Sequence, residues 1–305
     1  MKRIIATAVA MLLCAALLLT GCQSAGETAD FPVSVEGVVL ETQPQRIVSL
    51  SPVLSAALME LNGLDVLAGV SDYCHDKVPE TGEIPAMGSA QTPDVQAIID
   101  SGADTVLSVS AMSAGNISAL EAAGIRLIIL PQPTSLAELA VLYTQVGTVL
   151  KGASTGAERG DNLSQNLTDR LAFLSGKIGE DNTASYLYLP DLSGAAATGD
   201  TLESEVLGKL GLQNTASELS GYALSDEQLA GMDPDWLICD DGITAEALAA
   251  SRYASLPAVQ EGRVLYVDGA PFELCSSRMA DTALAVAEGL FGTELFTVSG
   301  AADPS

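Results

Sequence analysis

The sequence predicts an α/β protein built as two lobes, each a mostly parallel sheet covered by helices, joined by a helical connector. Three observations predict it. From Arg46 onward short apolar runs alternate with helical patterns, the same alternation restarts near residue 183, and residues 135–178 between them carry no strand signal. Apolar strands that alternate with helices are buried on both faces, which is the pattern of parallel sheets.

The chain opens with Lys2 and Arg3, then the uncharged run Ile4 to Leu19, then Leu19-Thr20-Gly21-Cys22. As a helix that run would reach only about 24 Å, short of a hydrocarbon core of roughly 30 Å. Residues 1–21 therefore read as a secretory leader. Residues 22–43 read as anchor and tether, small and polar from Gln23 to Asp30 and extended from Phe31 to Leu40.

The N-terminal lobe is assigned to residues 44–134. Its strands are expected at Ile47–Leu50, Val66–Val70, Thr105–Val109 and Arg126–Leu130, its helices at Pro52–Leu61, Pro93–Ser101 and Ser113–Ala123. Ser51 before Pro52 and Thr92 before Pro93 read as N-caps with proline at the first helical position. The connector, residues 135–180, keeps helical spacing through Leu136, Leu139, Ala140, Tyr143 and Val146. After the Gly152–Gly156 break the spacing resumes through Leu163, Leu167, Leu171 and Leu174.

The C-terminal lobe is assigned to residues 181–292, with 293–305 as a tail. Strands are expected at Ser185–Leu189, Trp236–Cys239 and Val264–Val267. Helices are expected at Leu202–Leu210, Asp226–Met232, Ala245–Ala250 and Ser277–Leu290, and Ser225 with Gln228 has capping-box spacing. Residues 94–107 align with 225–238, each reading as cap, helix, turn and strand, which supports two related lobes.

Composition narrows the function. The formal net charge is −26, and loss of Lys2 and Arg3 with the leader would deepen it by two. Such acidity lacks the basic footprint that nucleic acid requires. Cys74, Cys239 and Cys275 follow Cys22, so one bridge plus a thiol, or three thiols, both stay open. No G-x-S-x-G, P-loop, G-x-G-x-x-G or H-E-x-x-H pattern occurs, and His75 is the single histidine. The chain thus reads as a non-enzyme with no cofactor; a chelatase-like surface enzyme is the rival from another class. No C-x-x-C or histidine pair supports a bare metal site.

Ligands of parallel α/β sheets bind at the carboxyl ends of the strands. That rule picks out Ser51, Pro52 and Val53, then Tyr73, Cys74 and His75, then Met87, Gly88, Met112 and Gln132 in the first lobe. In the second it picks out Leu192, Tyr222, Asp240, Phe272, Glu273 and Arg278. Tyr73 and Phe272 offer flat faces to a large ring. Arg278 suits an anionic ligand group or a solvated helix terminus equally. His75 could ligate haem iron or cobalt, as could Tyr73, Met87 or Met112, although a lone loop histidine is more often solvent-exposed.

Two resemblances add to this. Leu19-Thr20-Gly21-Cys22 resembles the lipobox of bacterial lipoproteins, which implies that Cys22 is acylated and anchors the chain to the cell membrane from outside. The ordered series Arg46-Ile47-Val48-Ser49-Leu50-Ser51-Pro52, Gly69-Val70-Ser71-Asp72-Tyr73-Cys74, Met87-Gly88, the Pro93–Asp104 unit and Ala122-Ala123-Gly124-Ile125 resembles the substrate-binding proteins of bacterial importers for vitamin B12, haem and ferric siderophores. It implies Rossmann-like lobes joined by a rigid backbone helix, with the ligand cleft between them. It also implies delivery to a permease dimer driven by a cytoplasmic ATPase. By position Glu227 matches the family's docking carboxylate in the second lobe. In the first, Gln96 departs from it, with Asp94 or Asp100 nearby. Few basic residues argue against an anionic siderophore, and the Asp72-Tyr73-Cys74 turn looks like the vitamin B12 side of the family. A corrinoid therefore leads over siderophore and haem.

Overall fold

The computed structural model describes residues 30–180 and 183–296; the leader, Cys22, the tether to residue 29 and the tail from 297 lie outside the described residues. Strand β1 (Val33–Val35) pairs antiparallel with β2 (Val38–Leu40) around Glu36 and Gly37, both at positive φ. Val33, Val35 and Leu40 are buried in the main core. Residues 33–40, assigned above to the tether, therefore belong to the body, because their alternation presents one apolar face that is more stable out of water.

Four parallel strands form the first sheet: β3 (Ile47–Ser49), β4 (Leu67–Val70), β5 (Thr105–Ser108) and β6 (Arg126–Ile129), in the order β4-β3-β5-β6. Helices α1 (Pro52–Glu60), α2 (Asp72–Lys77), α3 (Val95–Asp100) and α4 (Ala114–Ala122) cover it. Ser51 holds the N-cap position of α1 without a side-chain cap bond. The Thr92-Pro93 start expected for α3 is corrected: Asp94 is the cap, its carboxylate accepting from Ala97 N at 2.9 Å. A carboxylate caps better than a threonine hydroxyl, and Pro93 instead bridges Gly88.

The connector is a hairpin of two helices. Helix α5 (Leu136–Lys151) packs on α1, turns at Gly152, and returns as the longer α6 (Thr155–Ile178), which runs on to the second lobe. Asp30 ties down this turn: its carboxylate accepts from Ser154 N at 3.2 Å and Thr155 N at 3.0 Å. Three glycines let the helix backbones touch. A Cβ on Gly147 would lie 2.1 Å from the Gly156 carbonyl oxygen, and one on Gly160 would lie 2.3 Å from that of Tyr143.

The second sheet repeats the first. Strands β7 (Ser185–Leu189), β8 (Gln213–Asn214), β9 (Trp236–Asp240) and β10 (Val264–Val267) are parallel in the order β8-β7-β9-β10, matching β4-β3-β5-β6 strand for strand. Around them lie α7 (Leu202–Gly208), α8 (Asp226–Ala230), α9 (Ala245–Ala249), α10 (Pro257–Gln260), α11 (Ala270–Glu273) and α12 (Met279–Phe291). The aligned segments keep register in space. Asp94 and Ser225 both cap helices, Thr105 and Trp236 both open strands, and the Ser225–Gln228 capping box is formed.

A second contact pins the lobes directly. Glu60, at the end of α1, accepts from Ser277 N at 3.0 and 3.1 Å and from Ser277 Oγ at 2.7 Å. It also accepts from Tyr143 OH at 3.2 Å, a proton shared with the Cys275 carbonyl at 3.1 Å. One carboxylate thus joins the first lobe, the hairpin and the second lobe.

The glycine contact gives a direct test. Gly160→Ala is expected to lower the unfolding free energy by about 2 kcal/mol, the cost of overpacking a rigid contact. Gly176→Ala, on the same helix with nothing within 4 Å of its Cβ, should instead gain about 0.5–1 kcal/mol from helix propensity. Chemical denaturation of the two variants measures both.

Candidate functional site

Both sheets turn the carboxyl ends of their strands toward the space between the lobes, and a cavity of about 440 Å³ lies there. Gln132, Pro133 and Thr134, beyond β6, supply its first-lobe wall; Asp200, Leu202, Glu203, Tyr222, Phe272 and Cys275 supply the second. It adjoins a cavity of about 370 Å³ lined by Tyr188, Asp191, Glu203, Tyr222, Asp240 and Glu273, and the two share Glu203, Tyr222, Phe272 and Glu273. In the second sheet β7 connects to β8 on one side and β9 lies on the other, so Asp191 and Asp240 flank the point where strand order reverses. Open α/β sheets bind ligands at that point.

The walls are aromatic and held in place. Tyr188 and Phe272 meet edge to face, ring centroids 5.5 Å apart at 77°. Tyr222 and Cys275 are two of the four non-glycine residues at positive φ among the described residues, and both line the cavity. Backbone strain of this kind gathers at binding sites. The Asp200 carboxylate holds the Tyr222 turn through Gly221 N at 2.9 Å and Thr198 Oγ1 at 2.5 Å; those bonds keep it below the usual carboxylate range. A Cβ on Gly269 would lie 2.4 Å from Asp240 Oδ2 and 2.5 Å from Tyr188 OH, so only glycine admits that approach.

The charge is of one sign. Asp191, Asp200, Glu203, Asp240 and Glu273 line the two cavities, and among the described residues no Lys, Arg or His does. Four of the five are engaged near the surface. Asp191 accepts from Ser193 N, Asp200 as described, Asp240 from Gly242 N and Gly269 N, and Glu273 from the phenol of Tyr73 across the cleft. Glu203 differs, being 8 % exposed. Burial drives its pKa up, opposed by its own backbone N–H and by Tyr222 OH at 3.0 Å. Burial also pushes the Cys275 thiol up to about 12, so it stays protonated and unreactive.

The family model described as "Periplasmic binding protein" matches residues 47–271. The chain belongs to the periplasmic binding protein family. An uncharacterized ABC transporter substrate-binding lipoprotein, YvrC of Bacillus subtilis, is 27% identical over 85% of this binding protein and 88% of its own length. A cobalamin-binding protein of Halobacterium salinarum is 26% identical over 75% of this chain and 64% of that protein. Among solved structures, the periplasmic heme-binding protein RhuT from Roseiflexus sp. RS-1 superposes with a TM-score of 0.67 at 20% identity, covering 81% of this chain and 98% of that one. That likeness is one of fold.

Of the residues picked out by the strand-end rule, Tyr222, Phe272, Gln132, Asp240 and Glu273 line the cavities of this binding protein. Tyr73 reaches Glu273 from the opposite lobe. Ser51, Pro52, Val53, Gly88 and Leu192 do not line either cavity. Cys74 is fully buried, and Met87 and Met112 sit in the first lobe's core, Met87 filling the space over Gly69. His75 Nδ1 bonds the Ile84 carbonyl at 2.9 Å, and Arg278 lies on the surface beside Asp268 and Asp281. Cys74, Cys239 and Cys275, the cysteines among the described residues, are free thiols and all buried.

The strand-end rule missed Glu203, which sits on a helix. A signal for it exists: Glu203, Val206, Leu207 and Leu210 share one helical stripe, and all four are buried. An acid on an apolar stripe marks a buried carboxylate. Because its folded pKa lies above the ordinary 4.5, its contribution to stability is complete below that pH and is lost as pH rises through the folded value. Glu203→Gln is therefore expected to stabilise the protein at pH 7 by about 1 kcal/mol, since a buried charge becomes a neutral amide. Thermal unfolding followed from pH 7 to pH 4 should show the gain shrinking toward zero.

Proposed function

We propose that this chain is the extracytoplasmic substrate-binding component of an ABC importer, and that it takes a corrinoid into the cleft between its lobes and passes it to a membrane permease. The wall of the cleft supports the ligand choice best: the exposed ring of Tyr222 backed by the buried rings of Tyr188 and Phe272, five carboxylates and, among the described residues, no cationic side chain. A ring rimmed with carboxylates would meet like charge there, whereas an amide-rimmed corrin brings hydrogen-bond donors. The sequence likeness to a cobalamin-binding protein supports the same choice. In this reading Cys22 carries the lipid anchor, Tyr73 and the exposed Tyr222 bound the ring from opposite lobes with Phe272 packed behind, and the ligand leaves chemically unchanged.

Docking follows from the repeated lobes. Glu227 is exposed on α8, beside Asp226, which pairs with Arg252 at 3.0 Å. Its counterpart Gln96 donates to Asp100 at 2.8 Å, and Asp94 is taken up in capping α3. The permease contact is accordingly stronger on the second lobe. Glu227→Arg is expected to cut uptake by about tenfold or more, the effect of reversing one partner of an interfacial charge pair. Ligand affinity should be retained, and a cell uptake assay beside a binding titration separates the two.

Calorimetric titration of the full chain in detergent with cyanocobalamin, haemin and a ferric hydroxamate tests the ligand. One-to-one saturation by cyanocobalamin, recovered intact, is the expected result. Saturation by haemin alone, with a ligated-iron spectrum, would move the ligand to haem and make Tyr73 and His75 the axial candidates. A converted product would replace transport with the chelatase-like reading.

A further inference from the structure

Among the described residues, the cleft holds one buried carboxylate, Glu203, with no cationic side chain beside it in the cavity walls. Glu203 borders both cavities, as do Tyr222, Phe272 and Glu273, so a ligand seated in either one comes against it. Its neighbours are neutral donors: Tyr222 OH at 3.0 Å, its own backbone N–H and the Thr201 hydroxyl. The other four carboxylates are engaged by backbone N–H groups, a serine turn or Tyr73. A buried charge without a counter-ion is costly, and a donor arriving with the ligand removes that cost.

We infer that Glu203 is the specificity-determining residue of the cleft, selecting ligands that present N–H donors to the second lobe and rejecting those that present carboxylates. The inference rests on the cleft being the ligand site, and it names a class of ligand chemistry wider than the corrinoid. The N–H donors come from one of two sources, the primary carboxamides around a corrin or the ammonium arm of a cationic hydroxamate chelate. A carboxylate-rimmed ring such as haem would bring like charge against Glu203 in a poorly hydrated pocket. Tyr222 backs the selection, because its phenol is held on one oxygen of Glu203 by a turn that Asp200 fixes.

The test compares the full chain with its Glu203→Gln variant, titrated with cyanocobalamin, ferrioxamine B and haemin. The wild-type protein should bind cyanocobalamin or ferrioxamine B at least about tenfold tighter than haemin, the effect of one charge-assisted hydrogen bond. In Glu203→Gln the ratio should narrow by about tenfold, because the amide accepts less strongly and can donate to a carboxylate. Should that variant not fold, Glu203→Met, of similar length and apolar, should narrow the ratio in the same direction. Glu203-dependent binding of ferrioxamine B without any binding of cyanocobalamin would sink the corrinoid reading and leave this inference standing. Tighter binding of haemin, an unchanged ratio in the variant, or no binding of any probe would overturn it.

Discussion

The structure depends on the carboxylate of Glu60. It sits at the end of α1 and collects donors from Ser277 of the second lobe and Tyr143 of the helical hairpin, so three units share one anchor. The hairpin supplies the rest of the frame. Glycine contacts at Gly147, Gly156 and Gly160 bring α5 and α6 together at backbone distance, and such contacts tolerate little sliding. With the back fixed in this way, the strand ends of the two sheets face each other across a cleft whose width is set before any ligand arrives.

The cleft uses its acidity selectively. Most of its carboxylates are structural: Asp200 fixes the Tyr222 turn, Asp240 gathers two backbone N–H groups, and Glu273 meets Tyr73 from the other lobe. Glu203 alone is both deeply buried and answered only by neutral donors. A fold can hold such a group when the surrounding packing is over-determined, and the frame behind the cleft provides that. On the inference drawn above, the same arrangement that costs stability in the empty protein favours a donor-bearing ligand.

Much of the fold was legible because buried parallel strands are short apolar runs with little else in the chain to imitate them. The strands β3 to β7, β9 and β10 lie within a residue or so of their expected bounds. Strand β8, two residues long, and the short helices α2 and α11 carry too little pattern to be read and owe their form to tertiary packing. The internal alignment already placed Asp94 opposite Ser225, and it was the better guide to the start of α3 than the Thr92-Pro93 pair. The site was legible only in part, since the strand-end rule locates backbone and not side-chain direction. It found Phe272 and Asp240, but Met87 and Cys74 turn inward. Glu203, in the first turn of α7, lay outside its reach.

The central claim is that the frame of Glu60 and the glycine hairpin sets the separation of the lobes in the empty protein. Spin labels at Gln96→Cys and Glu227→Cys, on exposed helices of opposite lobes, allow the interlobe distance to be measured by pulsed electron resonance. The account predicts one narrow distribution without ligand, shifting by less than about 2 Å on saturation with the chelate that binds, and broadening when Glu60 is replaced by alanine. A broad or two-peaked distribution in the unliganded protein, unchanged by Glu60→Ala, would contradict it.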